Sequence, residues 1–164
     1  MSEQQIDIVR VDYQNPQQAS ELVLLLDGYA RDPMGGGAPL NQFVKDNLVA
    51  ELSKRDFGLS LIAYVDNLPA GLLNAFEGFS TFACKPLFNV HDIIVLEAFR
   101  GLQLSQLLLQ ELEKIARARG CCKITLEVLE GNSIAQRAYQ KAGFAGYELD
   151  PQMGKAMFWQ KKLL

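Results

Sequence analysis

One histidine and three cysteines are all that 164 residues offer for thiol or soft-metal chemistry. A His/Cys zinc centre needs several such ligands at short spacing. The chain has no C-x-x-C pair and no second histidine, so no metal site is expected. Cys84, Cys121 and Cys122 are odd in number, and the adjacent pair cannot readily bridge within a regular strand. A disulfide framework is therefore not expected, and the three read as small buried apolar residues. Cys84 as a thiolate with His91 as its base lacks any third orienting group. No apolar run approaches the ~20 residues of a membrane-crossing helix. The first dozen residues, Met1 to Asp12, are acidic and lack the basic start and apolar centre of a secretory signal. The expectation is a cytoplasmic protein with no membrane partner.

Positive charge is also short. The formal net charge is −3, which argues against a nucleic-acid partner. Its distribution is uneven: the basic side chains gather in the last 65 residues and the acidic ones in the first 99. Such a division suits a cation on the front half and an anion on the back half.

What is present is 49% apolar residues in one domain-sized chain, residues 1–164, without repeat, linker or low-complexity tract. Asn15 and Pro16 cap a first helix whose Leu22, Leu25, Leu26 and Tyr29 recur at three and four residues, ending before Pro33. Asp32 to Pro39, with three consecutive glycines, reads as too loose for regular structure. Leu40, Phe43, Val44, Leu48 and Leu52 predict a second helix. The run from Leu59 to Val65 predicts a strand buried on both faces, followed by strands over Ala70–Phe82 and Leu87–Leu96. Leucines at 104, 107, 108 and 112 predict a helix stopping at Gly120. Ile124, Leu126 and Val128 alternate as a strand, and Asn132 caps a short helix ending at Gly143. Phe144 to Trp159 predicts closing strands around a turn near Pro151. The fold class is α+β with a mixed, mostly antiparallel sheet flanked by helices.

Two features carry candidate chemistry. The junction LFNVHDIIVLEAFRGLQLSQ takes a strand into a helix at Arg100 and Gly101, presenting free helix N–H groups and the positive dipole end to an anion. In NSIAQRAYQKAGF, Asn132 and Tyr139 stand two turns apart on one helix face.

Together these segments resemble the GNAT superfamily of N-acyltransferases. The likeness rests on a strand ending in HDIIV, a turn similar to RxxGxG, and NxxAxxxYxxxGF matched at Asn132, Ala135, Tyr139, Gly143 and Phe144. STFACKPLFNVHDIIV further resembles the corresponding region of polyamine and diamine acetyltransferases.

The resemblance implies acetyl-CoA as acyl donor, lodged where the strands carrying Ile94 and Leu126 splay into a V. Its pantetheine amides would pair with backbone at Ile93, Ile94 and Val95, where a backbone N–H at a strand bulge near Ile94 or Val95 would serve the oxyanion. Arg100, Gly101, Leu102, Gln103, Leu104 and Ser105 would hold its pyrophosphate. Asn132 would touch the pantetheine arm, and Tyr139 would protonate the leaving sulfur. His91 stands where polyamine enzymes commonly carry glutamate and inherits the general-base role. A histidine's ordinary pKa of ~6.5 suits that task near neutrality. A small primary amine, whether diamine, polyamine or amino-acid-like, would be the acceptor, steered by Asp27, Tyr29, Asp32, Glu77, His91 and Glu127. The stretch from Met34 to Gly37 would act as a lid. A homodimer is implied as well. Gln103 and Ser105 replace the two glycines of RxxGxG, and glycine lets backbone approach phosphate closely. That departure leaves open a CoA-binding sensor or interaction module, and the acidic front half leaves open a protein N-terminus or lysine as acceptor.

Overall fold

The computed structural model describes residues 4–164. Five strands form one sheet in the order β1 (Ile6–Arg10), β2 (Gly58–Val65), β3 (Leu68–Ser80), β4 (Lys85–Val95), β5 (Ile124–Leu126). All neighbours are antiparallel except β4 and β5, which are parallel. Helices α1 (Pro16–Arg31) and α2 (Gln42–Ser53) cover one face; α3 (Leu104–Ala118) and α4 (Ser133–Lys141) lie on the other.

The central strands are apolar on both faces because both faces are covered. Along β2, Leu61, Ala63 and Val65 meet Leu104, Leu108 and Leu112 of α3, whereas Ile62 meets Leu22 and Leu25 of α1. Asparagine side chains accept from the first-turn N–H groups of three helices: Asn15 for α1, Asn41 for α2 and Asn132 for α4. Helix α3 has no side-chain cap.

Four expectations are corrected. No strand forms from Phe144 to Trp159; a 3-10 turn at Pro151–Met153 is the regular structure there, and the single bond from Ala156 N–H to Tyr147 C=O is what remains of a hairpin. Alternating residues give a segment a strand's chemistry, but a strand forms only by pairing, and this segment pairs with no described strand. Asp32 to Pro39 does contain regular structure, a 3-10 turn at Pro33–Gly35, since the Asp32 carboxylate accepts from Met34 N–H. The fifth strand stops at Leu126, leaving Val128 exposed. The cysteines are free but not buried: Cys84 and Cys122 are exposed and Cys121 is half-covered, because all three sit in turns beyond the strand ends.

Candidate active site

The site begins with one extra residue in β4. Asn74 pairs with Asp92 and Ala75 with Val90, so His91 has no partner on β3 and forms a bulge. Below the bulge Phe88 N–H points to β5, bonding Lys123 C=O at 3.2 Å. Strict alternation would carry even-numbered residues toward β5 throughout. The bulge reverses that phase. Beyond it Leu96 N–H bonds Ala70 C=O on β3 at 2.9 Å, so the backbone of Ile94 also faces β3, and the amides of Ile93 and Val95 face the other side. On that side the ladder with β5 ends at Val90 and Leu126. The two strands part, and Ile93 and Val95 present free backbone groups into the gap. Of the three residues expected to offer amides, Ile94 is turned away.

The start of α3 follows β4 at the open end of this gap. Arg100 leads into Gly101, whose φ of 89° belongs to the left-handed region and around which a Cβ would meet nothing within 4 Å. Leu102 and the fully buried Leu104 anchor the turn in the core. Gln103 holds a left-handed φ of 59°, and its side-chain oxygen accepts from Lys141 Nζ at 3.3 Å, away from the backbone N–H groups. Those N–H groups, from Gly101 to Ser105, have neither an intrahelical partner nor a side-chain cap. A free row of donors at a helix N-terminus beside an open strand edge fits a nucleotide-tailed thioester: anion at the helix end, amide-bearing arm along β4.

Tyr139 approaches the gap from α4. It packs edge-on to Phe144 with centroids 6.2 Å apart. Burial first, then the negative charge of a neighbouring Tyr29, pushes its phenol up to about 12. Tyr29 is itself raised by burial and by the carboxylates of Asp92 and Asp32. These shifts draw Tyr29, Tyr139, Asp32 and Asp92 into one electrostatic neighbourhood. Asp32 also lies 3.5 Å from Arg100. His91 is two-thirds exposed, 3.7 Å from Asp92 through Nδ1, and edge-on to Phe76.

Of the other expected acceptor residues, Asp27 and Glu77 are held in ion pairs, and Glu127 directly follows Leu126, where β5 parts from β4. Asp27 is held by Arg31, Lys45 and the backbone N–H of Leu40, clasping α1 to the segment before α2. Glu77 pairs with Arg119 at 2.8 Å, at the far end of α3, a 15-residue helix about 22 Å long. Glu127 is exposed past the end of β5. Asn132 uses its side-chain oxygen to cap α4 through Ala135 N–H. Among the described residues no cluster of three potential metal ligands occurs, and no helix is long and apolar enough to cross a membrane.

The residues that sequence reasoning passed over are Tyr13, Ser60 and Asn74. The signal was there: Ser60 stands in GLSLIAYV and Asn74 in LPAGLLNAF, polar residues inside otherwise apolar strands.

A fold with a splayed parallel pair, a bulge beside it and an uncapped helix opening on the gap defines an acyl-transfer cleft. The model of the acetyltransferase (GNAT) family matches residues 37–144. The chain belongs to this family and is an acetyl-CoA-dependent N-acetyltransferase of the GNAT type. No curated protein matches it significantly. Among solved structures it resembles a probable acetyltransferase with TM-score 0.79 and 20% identity, covering 95% of this chain and 98% of that one. It resembles the ribosomal-protein-alanine N-acetyltransferase of Brucella melitensis biovar Abortus 2308 with TM-score 0.69 and 19% identity, over 98% and 99%. An aminoglycoside N-acetyltransferase, AAC(6')-Iy, in complex with CoA gives TM-score 0.74 and 21% identity, over 98% and 97%.

Proposed function

We propose that the protein transfers an acetyl group to a small primary amine by direct attack, with no acyl-enzyme. One observation carries this reading: β4 and β5 part beyond Val90 and Leu126 beside the uncapped start of α3, and Asp92, next to His91 at the β4 bulge, offers a carboxylate to an ammonium group. Diamines, polyamines and amino sugars all supply such a group; the aminoglycoside-modifying structural neighbour favours an acceptor with several amines.

Acetyl-CoA supplies the activated acyl group. The backbone N–H groups of Gly101 to Ser105, with Arg100, hold the anionic end, and the amides of Ile93 and Val95 hold the pantetheine arm. His91, exposed on its bulge, takes the proton from the ammonium. Val95 N–H stabilises the charge developing on the acyl oxygen. Tyr139 gives its proton to the departing sulfur, and the second proton, shed by the acylated nitrogen, returns to the phenol through solvent. A phenol raised to about 12 remains protonated throughout the working range, so the donor form persists at high pH.

The test is a thiol-release assay with an amine panel. Tyr139→Phe should lower kcat by about a hundredfold, within the usual range for general acid catalysis, with acetyl-CoA affinity by calorimetry nearly unchanged. Wild-type kcat should show no alkaline loss attributable to Tyr139 below about pH 11. Unchanged turnover in the variant rejects the assignment. A homodimer is part of the same proposal, supported by the apolar residues exposed after Phe144 and by the free outer edge of β5.

A further inference from the structure

On the α1/α2 face of the sheet, a line of polar side chains crosses three strands at one register level. Ser60 on β2 stands opposite Asn74 on β3, and Asn74 stands opposite Asp92 on β4. Ser60 Oγ donates to Asn74 Oδ1 at 2.6 Å, and Asn74 Nδ2 donates to Asp92 Oδ2 at 3.0 Å. The Tyr13 hydroxyl lies 2.8 Å from Ser60 Oγ. Ser60 is 1% and Asn74 3% exposed, on the face whose apolar residues include Ile62, Leu72 and Ile94.

The direction of the row is forced. A carboxylate accepts and does not donate, so the Asn74 NH2 must face Asp92 and its oxygen must face Ser60. The serine's single proton is then spent on Asn74, so Tyr13 must donate to Ser60. Every donor has one acceptor. A buried polar row in an apolar face is costly unless satisfied, and this one is satisfied only while Asp92 keeps Oδ2 on Asn74. That fixes the carboxylate, with Oδ1 turned toward His91 Nδ1 at 3.7 Å.

We propose that Tyr13, Ser60 and Asn74 are positioning residues that hold the Asp92 carboxylate where it receives the acceptor's ammonium group beside His91. This rests on the amine-acetylation reading above. The three act through Asp92 and touch neither substrate.

A double-mutant cycle tests it. Asp92→Asn should raise the acceptor KM at least tenfold with acetyl-CoA KM unchanged. Asn74→Leu should raise it about as much, Ser60→Ala about threefold, and Tyr13→Phe less than twofold, declining with distance from the carboxylate. In the Asp92→Asn background the same three substitutions should have no further effect on acceptor KM. A purely structural role would lower Tm and activity alike in both backgrounds, and additive effects would overturn the proposal. A second readout is independent of turnover: the side-chain NH2 protons of Asn74, followed by NMR, should shift on Asp92→Ala and on Ser60→Ala. Should the wild type acetylate no amine in the panel, the activity reading fails while those shifts still judge the row. Shifts unmoved by Asp92→Ala would reject it.

Discussion

Gln103 occupies a conformation that L-residues avoid. Its φ of 59° is left-handed, at the place where RxxGxG has glycine, and it directly precedes α3. Holding a side chain there costs about 1–2 kcal/mol, whereas glycine adopts it freely but loses ~0.4–1 kcal/mol through a looser unfolded chain. The balance predicts that Gln103→Gly leaves the unfolding free energy unchanged or raises it by up to about 1.6 kcal/mol. Gln103→Val, β-branched and worse in this region, should lower it by about 1 kcal/mol or more. Urea titration of the three proteins checks both signs. The backbone has thus retained the turn that the glycine serves. The sequence showed the substitution but not its outcome, because a residue letter does not reveal whether the chain accepts strain or changes path.

At the scale of elements, the approach of β3 to β4 governs the gap. A Cβ on Gly71 would come within 2.9 Å of Ile94 C=O, with Leu108 of α3 at 3.4 Å and Ala63 of β2 at 3.5 Å. Backbone on one side and packed helix on the other leave no relief. Gly71→Ala is expected to destabilise by about 1–3 kcal/mol, as overpacking does, and to weaken acetyl-CoA binding because β4 shifts just where Ile93 and Val95 face the gap. Gly78→Ala on the same strand, where the nearest atom is Leu87 Cδ1 at 3.5 Å, should change stability by less than about 0.5 kcal/mol. Calorimetric Tm and acetyl-CoA titration separate the pair. These elements were largely legible: helical spacing marked α1, α2 and α3, Asn15 with Pro16 marked the start of α1 and Asn132 that of α4, and unbroken apolar runs marked strands covered on both faces. The bulge was expected through the resemblance alone, near Ile94 or Val95, and its place at His91 was not legible. It depends on pairing between Asn74, Ala75, Val90 and Asp92, a relation between strands that no local pattern contains. The ion pairs of Asp27 and Glu77 were hidden for a related reason. Glu77 reads as a free charge until Arg119, 42 residues later, is found beside it.

The molecule as a whole leaves two surfaces unmatched. Among the described residues the outer edge of β5 has no strand neighbour, and a cavity of about 410 Å³ flanks it, lined by Cys121, Lys123, Ile124, Ala142 and Phe144 among others. Beyond it run Tyr147, Leu149, Met157, Phe158 and Trp159, all exposed, Trp159 to 80%. An open strand edge is a template for pairing, and this segment has the apolar, aromatic composition of a strand without the partner. If a second copy provides that partner, the chain runs as a dimer at micromolar concentration, and deletion of residues 155–164 leaves a monomer. Trp159 is the sole tryptophan, so emission reports directly on the segment. Association should bring a blue-shifted maximum that moves red on dilution, in step with elution volume. A monomer with red, concentration-independent emission would mean that the segment pairs with nothing. A monomer with blue emission would mean that it folds back onto its own β5. Only emission that follows elution places it on a second copy.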